Sequence, residues 1–383
     1  MRGHIVKRGK NSYSIKVSVG KDATGKYKYQ WTTVKGTKKE AEKRLGEILH
    51  QLDTGTFMKP AKTTVADYLS KWLADYAKVK LSPRGFERYR DIIRQHLIPA
   101  FGDICLTQLK AEHVQRHYTA KLNNGLSAGT VRYHHAVIHK ALQTALKWGL
   151  VNRNVADGVD VPPIRRTQMQ TWDDDGVTQF LESAKESPYY ALFYTALFTG
   201  MRRSELLGLS WQDVDLLLSQ LSITRSLHHL KDGSYVFTEP KSAKSRRTIA
   251  LSPSAILLLK EHKEKQRLES AMLGVPLRDN GLVFSTLEGK PLRPNTITRA
   301  WVMLTDKAGV KPIRLHDARH THASIMLKQG VHPKIVQERL GHSSIEMTLD
   351  IYSHVMPGLQ EAAAKRFDDV FNHTREKEPA KSD

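Results

Sequence analysis

The hydrophobic period of this 383-residue chain is that of strands near its N terminus and that of helices from residue 65 to residue 148. Apolar residues alternate over residues 13–19 and 27–33, with a glycine turn at residues 20–25 between them. From residue 65 to residue 148 they recur every three or four positions. Alternation predicts strands and the longer spacing predicts amphipathic helices, so we expect an α+β protein with several domains.

The first domain is predicted to be a small sheet with one helix, over residues 1–58. The two alternating segments predict a β-hairpin. Thr37 and Glu40 have capping-box spacing, which predicts that a helix begins there and runs to about Leu52. Glycine, proline and threonine in residues 54–64 predict a linker.

Residues 64–160 are predicted to form an all-α domain of four or five helices. Asparagine and glycine accommodate the backbone of helix ends, so the helices are expected to break at Phe101-Gly102 and at residues 122–125. Pro162 and Pro163 predict the connection to the next domain.

The third domain is predicted over residues 168–372 and should be mainly α-helical with a small antiparallel sheet. Thr171 and Asp174 are expected to cap its first helix. Residues 221–226 have strand character, and a turn is predicted at residues 231–233. Two further segments are expected to pair with each other as strands, residues 235–238 and 247–251. Residues 373–383 are expected to form a mobile tail.

The chain contains 60 Lys and Arg against 39 Asp and Glu, a formal charge of +21, which indicates a polyanionic partner. Residues 1–60 hold 14 basic and 5 acidic side chains and residues 61–167 hold 17 and 8, whereas the remainder holds 29 and 26. The basic residues are dispersed, which favours nucleic acid over a membrane surface. We expect two binding domains ahead of a nearly neutral third domain.

The cysteine content and the apolar segments predict a cytoplasmic protein. Cys105 is the only cysteine, which excludes an internal disulfide and multi-cysteine zinc sites. No N-terminal apolar run resembles a signal peptide. The longest strongly apolar stretch, residues 189–198, is too short to span a bilayer and predicts a buried helix.

Five polar residues of the C-terminal half have the chemistry that a phosphodiester-breaking site requires: Arg202, His316, Arg319, His342 and Tyr352. Two guanidinium groups can clamp the nonbridging oxygens of a phosphate. A tyrosine can attack phosphorus to give a covalent phosphotyrosine. A histidine three residues before an arginine shares its helix face, and its near-neutral pKa suits a general base.

The order of these residues, Arg, His-x-x-Arg, Leu-Gly-His and Tyr, resembles the tyrosine recombinase, or lambda-integrase, family. The resemblance implies that Tyr352 is the nucleophile and that Arg202 and Arg319 bind the phosphate. It implies that His316 handles protons and that His342 donates a hydrogen bond to the phosphate. The resemblance gives no catalytic role to Arg203, the residue after the first arginine, which is expected to contact solvent, Glu205 or the DNA backbone.

The same family uses a lysine on a hairpin as general acid for the leaving 5′ hydroxyl, and this position matches Lys241, with Lys244 as its competitor. His316 and His320 also have the spacing of metal ligands, but the glutamate of a His-Glu-x-x-His motif is absent and no cysteine is nearby. No metal, nucleotide or other cofactor is expected. Glu205 is expected to orient the arginine turn and Asp317 to cap its own helix.

The implied function is site-specific recombination that integrates or excises a mobile element through a 3′-phosphotyrosine intermediate. The implied partners are double-stranded DNA attachment sites, three further copies of the chain in a tetramer, and accessory excision or DNA-bending proteins. The first domain resembles the arm-type DNA-binding domain of phage and conjugative-transposon integrases, and residues 359–371 are expected to dock on a neighbouring subunit. A DNA-relaxing topoisomerase and a DNA-binding regulator with a decayed site are the alternatives.

Overall fold

The computed structural model divides the chain into two compact units, Met1–Arg165 and Arg166–Asp383. No helix in the described part of the chain is long and apolar enough to cross a membrane. For Gln51 and residues 351–355 only the main chain is described. The described residues are 3–21, 25–53, 62–164, 169–240, 246–274, 281–355, 364, 365 and 367–369.

The first unit begins with a three-stranded antiparallel sheet followed by a helix. The strands are paired in chain order and are β1 (Gly3–Gly9), β2 (Ser12–Lys21) and β3 (Tyr27–Lys35). The predicted hairpin is β2 with β3, and β1 is an additional strand that the alternation did not reveal. Ile15 and Val17 of β2 are fully buried, because the helix α1 (Lys38–Asp53) covers this face with Ile48.

The predicted capping box of α1 is present. The main-chain N–H of Thr37 donates to Glu40 Oε2 at 2.7 Å, and the N–H of Glu40 donates to Thr37 Oγ1 at 3.4 Å. These reciprocal bonds satisfy N–H groups that a helix start otherwise leaves unpaired.

The described residues from Val65 to Lys147 are mainly helical. Two π-helical turns, Leu73–Ala77 and Ile93–Leu97, join neighbouring segments, so four continuous helical rods result, as the periodicity predicts. The predicted breaks are confirmed, since helices end at Phe101 and Asn123. The segments are α2 (Val65–Trp72), α3 (Lys78–Lys80), α4 (Pro83–Ile92), α5 (Ile98–Phe101), α6 (Ala111–Asn123) and α7 (Ala128–Lys147).

The second unit contains eight helices and five short strands among its described residues. The helices are α8 (Asp174–Ala184), α9 (Tyr190–Thr199), α10 (Arg203–Gly208), α11 (Pro253–Met272), α12 (Pro294–Lys307), α13 (Asp317–Lys328), α14 (Pro333–Leu340) and α15 (Glu346–Val355). The strands are β4 (Val214–Asp215), β5 (Gln220–Ile223), β6 (Ser226–His229), β7 (Tyr235–Thr238) and β8 (Arg247–Ala250).

The predicted pairing of residues 235–238 with residues 247–251 is wrong. Strand β7 pairs with β6 across the predicted turn, where Leu230 N–H donates to Ser234 O at 2.9 Å. Strand β8 instead joins β5, in a sheet of order β4-β5-β8. The segment predicted as one strand, residues 221–226, is split between β5 and β6. A tight turn favours pairing with the nearest strand, because short loops close at little entropic cost.

The predicted cap of the first helix is also displaced. Asp173, rather than Thr171, occupies the N-cap of α8, and its carboxylate accepts from Gly176 N–H at 2.9 Å. Aspartate is among the strongest N-cap residues, and two more carboxylates in the first turn favour the helix dipole.

Stacked aromatic rings form the centre of the second unit. The rings of Trp172 and Trp301 stack with centroids 5.2 Å apart, and Phe180 packs against Trp301 at 4.4 Å. A separate small cluster of buried apolar side chains packs α13 against α14 and includes Leu327 and Leu340. This cluster fixes the two helices from which much of the site described below projects.

Candidate active site

Two helices of the second unit end in left-handed glycines that face each other. Gly200 follows α9 with φ +64°, and Gly341 follows α14 with φ +67°. A Cβ at Gly200 would collide with Leu340 Cδ2, and one at Gly341 would lie 2.9 Å from Nη1 of Arg247. Only glycine combines this backbone conformation with such close approach. The main-chain carbonyls of both turns are thereby brought within reach of side-chain donors.

Arg202 occupies the N-cap of α10 and reaches across to the second turn. Its Nη2 donates to Gly341 O at 3.1 Å and its Nη1 donates to Glu205 Oε1 at 2.7 Å. Its side chain is 34% exposed, so part of the guanidinium remains open to a ligand. The neighbouring Arg203 has another role, because its Nη1 donates to Thr298 Oγ1 at 2.6 Å.

Arg319 of α13 lies beneath the same two turns and is almost completely buried. Its Nη1 donates to Gly200 O at 2.8 Å and its Nη2 donates to Leu340 O at 2.5 Å. Burial, and then the nearby charge of Arg202, lower the pKa of Arg319 to about 9. An arginine whose anchors are neutral carbonyls keeps an uncompensated positive charge, which an anion would stabilise.

Glu205 and Arg247 form a buried ion pair behind these arginines. Nη2 of Arg247 donates to Glu205 Oε2 at 2.9 Å, and the two side chains are 6% and 4% exposed. The prediction that Glu205 orients the arginine turn agrees with its bonds to Arg202. Arg247 was missed. Its strand offers a signal, because Arg247 shares the alternation of the buried Ile249, and a charged residue in a buried register needs a partner.

His342 directly follows the Gly341 turn and is buried. Its Nδ1 lies 2.9 Å from Thr348 Oγ1 on α15, which fixes the plane of the ring. Burial, followed by the charges of Arg319 and Arg202, lowers the pKa of His342 to about 3. The imidazole is therefore neutral at pH 7 and carries one N–H.

His316 immediately precedes α13, one turn before Arg319. Burial, and then the charge of Arg319, lower its pKa. Its ring meets the ring of His320 edge to face, with centroids 5.4 Å apart. The predicted cap by Asp317 is wrong, because this carboxylate accepts from the N–H and the guanidinium of Arg314 instead of from its own helix. Among the described residues, no three or more His, Cys, Asp or Glu side chains lie close enough together to hold a metal ion.

Tyr352 belongs to α15, which packs against α13 and α14. Thr348, one turn earlier on α15, is fully buried against His342. Lys241 and Lys244 both lie outside the described residues. The structure thus gathers Arg202, Arg319 and His342 around the two glycine turns and carries the main chain of Tyr352 on an adjoining helix.

Two cationic groups on carbonyl anchors, beside a neutral imidazole and a helix with a tyrosine, define a protein that transfers phosphodiester groups. Comparison with known proteins agrees with this class. The phage integrase family matches residues 171–358, and the phage integrase N-terminal SAM-like domain matches residues 64–122.

Two relatives match over nearly their whole length. The chain is 30% identical to a tyrosine recombinase XerC-like protein of Caldanaerobacter subterraneus subsp. tengcongensis, over 96% of this chain and 98% of that protein. It is 27% identical to the ICEBs1 integrase of Bacillus subtilis, over 96% and 99%. The chain belongs to the phage integrase family of tyrosine-type site-specific recombinases, which integrate or excise mobile genetic elements.

Solved structures share the fold. The Tn1549 transposon integrase in complex with a circular intermediate DNA has a TM-score of 0.67 and 21% identity, covering 80% of this chain and 99% of that one. A lambda integrase tetramer bound to a Holliday junction has a TM-score of 0.58 and 17% identity, covering 91% and 94%.

Proposed function

We propose that the second unit cleaves DNA by attack of Tyr352 Oη on the scissile phosphorus. An O–P bond forms to give a 3′-phosphotyrosine, and the bond from phosphorus to the 5′ oxygen breaks. His316 accepts the tyrosine proton, and Lys241 gives a proton to the leaving 5′ oxygen. A 5′ hydroxyl from the partner strand then reverses these steps. One phosphoester replaces another, so the reaction consumes no nucleotide.

The arrangement of Arg202 and Arg319 carries this proposal. Arg319 bonds to carbonyls of both turns, and Arg202 bonds to Gly341 O of the second turn and to Glu205, so the second turn links the two guanidinium groups. Each guanidinium has five N–H donors, more than its anchors use. The remaining donors suit the two nonbridging oxygens of one phosphate. His342 adds an N–H, and its neutral state avoids further positive charge in the clamp.

The domains divide DNA recognition from chemistry in this proposal. Residues 1–58 bind arm-type sites, residues 64–160 clamp the core site, and residues 168–372 perform strand exchange. Four copies act together on paired double-stranded attachment sites in the cytoplasm, with accessory excision or DNA-bending proteins. The excess of basic residues before residue 168 and the DNA-bound tetramer of lambda integrase support this assignment.

A suicide duplex tests the chemistry. The duplex carries the attachment site found beside the coding region of this chain and a nick close to the scissile phosphate, so that the cleaved end diffuses away. The wild type should accumulate a covalent protein–DNA complex on a denaturing gel. Tyr352→Phe should give none, because the phenolic oxygen is lost. Tyr190→Phe, which removes a hydroxyl from α9, is the matched control and should react normally.

The reaction products distinguish a site-specific recombinase from a DNA-relaxing topoisomerase. On paired attachment sites, recombinant joints should form in addition to the covalent complex. A covalent complex without recombinant joints would support a topoisomerase, and the absence of any complex with the wild type would support a regulator without catalytic activity. Either result would overturn the proposal.

The C-terminal segment provides a test of the tetramer. We propose that residues 359–371 dock on a neighbouring subunit. A chain that ends at Val355 should still form the covalent complex, while the sedimentation of its complex with DNA should shift from a tetramer to smaller species. Unchanged tetramer assembly would remove this role.

A further inference from the structure

Arg247 is a buried cation that the proposed chemistry leaves unused. It is the first residue of β8, and its side chain is only 6% exposed. Burying a guanidinium costs free energy unless its N–H donors find hydrogen-bond partners.

The donors of Arg247 connect two separate parts of the site. Its Nη1 and Nη2 donate to the two oxygens of Glu205 at 3.3 and 2.9 Å, and its Nε donates to Arg339 O at 2.7 Å, at the end of α14. The same two carboxylate oxygens accept from Nη1 and from the main-chain N–H of Arg202 at 2.7 and 3.0 Å. Glu205 is therefore shared between Arg247 and Arg202.

Arg247 also supports the turn that anchors Arg202 from the other side. A Cβ on Gly341 would lie 2.9 Å from Arg247 Nη1 and 3.0 Å from its Cδ, so the arginine side chain packs directly on this turn. The carbonyl of Gly341 accepts from Nη2 of Arg202. Glu205 and the Gly341 turn, which hold the guanidinium of Arg202, therefore both contact Arg247.

The charges suit a phosphoryl-transfer transition state. Arg202 and Arg247 bond to the single carboxylate of Glu205, and Arg319 lies close enough to interact with its charge, which leaves two positive charges in excess. A phosphodiester carries one negative charge, and the five-coordinate state reached during attack carries two. Burial acts to raise the pKa of Glu205, but the hydrogen bonds and charge of Arg247 outweigh it and keep the pKa low.

We propose that Arg247 is a positioning residue, which holds Glu205 and the Gly341 turn so that Arg202 points at the scissile phosphate. This inference rests on the proposed function. Arg247 acts through Arg202 and the local charge, without touching the reacting atoms. It also links β8, the strand that follows the Lys241 segment, to the phosphate clamp.

Single-turnover cleavage of the suicide duplex by the full-length chain measures this role. Arg247→Met should lower the rate of covalent-complex formation at saturating DNA by roughly 100-fold, the scale of a misplaced catalytic group. The concentration of DNA that gives half-saturation should stay within about threefold, because Arg247 is not a DNA contact. Arg247→Lys should give an intermediate rate, since lysine keeps the charge but lacks the planar guanidinium that bonds both oxygens of Glu205 and Arg339 O together. Arg246→Met, at the exposed neighbouring position, is the matched control and should cleave at the wild-type rate.

A double variant distinguishes positioning from a general structural role. If Arg247 acts through Arg202, the variant with both Arg202→Met and Arg247→Met should be no more than about threefold slower than Arg202→Met alone. Losses that multiply would overturn the inference. A wild-type rate in Arg247→Met would do the same, even with a lower melting temperature.

Two further results keep the test decisive. If Arg247→Met does not fold, Glu205→Gln combined with Arg247→Met removes both buried charges and should show the same loss of rate. A folded double variant that cleaves at the wild-type rate would refute the role. Failure of the wild type to form any complex would instead refute the proposed function, and the inference with it.

Discussion

Thr348 orients the ring of His342, because its hydroxyl lies 2.9 Å from Nδ1. Thr348→Val keeps the shape but removes this bond, so the His342 N–H that we propose donates to the phosphate is no longer held in one direction. We expect cleavage of the suicide duplex to slow by about 3- to 10-fold, as the loss of one hydrogen bond of about 1 kcal/mol implies. Thr305→Val is the matched control, because Thr305 is equally buried on α12 and bonds Trp301 O. Equal rates in both variants would show that the ring needs no such support.

The general acid can be assigned by changing the leaving group. We expect Lys241→Ala to slow cleavage strongly and Lys244→Ala to slow it weakly, because only one amine protonates the 5′ oxygen. A duplex with sulfur at the bridging 5′ position needs no acid, since a thiol has a pKa of about 8.5. The sulfur substrate should therefore restore the rate of the variant that lacks the acid. Restoration in Lys244→Ala instead would reverse the assignment.

The resemblance to the tyrosine recombinase family, carried by the order of short motifs, identified Arg202, His342 and Arg319 as candidates. The bond between Glu205 and Arg247 could not be predicted in the same way. These residues are 42 positions apart, and their contact depends on which strand β8 joins. Long-range partners of buried charges follow from topology, which local patterns do not encode.

At the scale of elements, the sequence pattern located β7 and β8 of the second unit, but it merged β5 with β6, did not reveal β4 and gave the wrong strand pairing. Residues 235–238 and 247–251 were predicted to pair with each other, yet β7 and β8 belong to different sheets. The two π-helical turns of the first unit were not predicted either, since one extra residue per turn leaves the apolar spacing almost unchanged. The ends of helices were easier to predict, because glycine and asparagine favour the helix-ending backbone conformation at their own positions.

Three histidines stack between the helical elements of the first unit and predict sensitivity to acid. His134 of α7 lies 3.2 Å from Nε2 of His117 on α6, and its ring stacks on the ring of His96 with centroids 4.5 Å apart. Burial, reinforced by neighbouring positive charges that include Lys121, lowers the pKa of His117 and His134 to about 4. The unfolded chain binds protons near pH 6.5, so stability is full above that pH and is lost as the pH falls toward 4.

Hydrogen exchange of the full-length chain checks this expectation. Amides of α6 and α7 should lose protection between about pH 6.5 and 4, after correction for the intrinsic exchange rate. Amides of α1 provide the internal reference. His134→Phe should reduce the change, because it removes one buried proton acceptor and keeps an aromatic ring in the stack. Protection that is independent of pH in the wild type would exclude the effect.

For the whole molecule, the two units differ in charge. Residues 1–165 contain 30 Lys and Arg against 13 Asp and Glu, while residues 166–383 contain 30 against 26. We expect DNA affinity to fall steeply between about 50 and 200 mM salt, by about 0.9 log unit per log unit of salt for each phosphate contact. The first unit should supply most of these contacts.

Matched charge removal and fluorescence anisotropy with a fixed duplex measure this difference. Gln at the exposed Lys26, Lys28 and Lys35 should reduce the salt slope, whereas Gln at Lys260, Lys265 and Lys307 in the second unit should leave it nearly unchanged. Equal reductions would mean that both units share the phosphate contacts.

The carbonyl anchors of Arg202 and Arg319 matter for redesign of the protein. Because main-chain oxygens at Gly200, Leu340 and Gly341 hold the clamp, most side chains around it can be exchanged without removing an anchor. The two glycines resist replacement because both lie at positive φ against close neighbours, and Glu205 is needed beside them because it bonds to both Arg202 and Arg247. An engineer who wishes to retarget the enzyme can therefore randomise the surrounding surface and keep the two glycines, Glu205 and the arginines bonded to these groups constant.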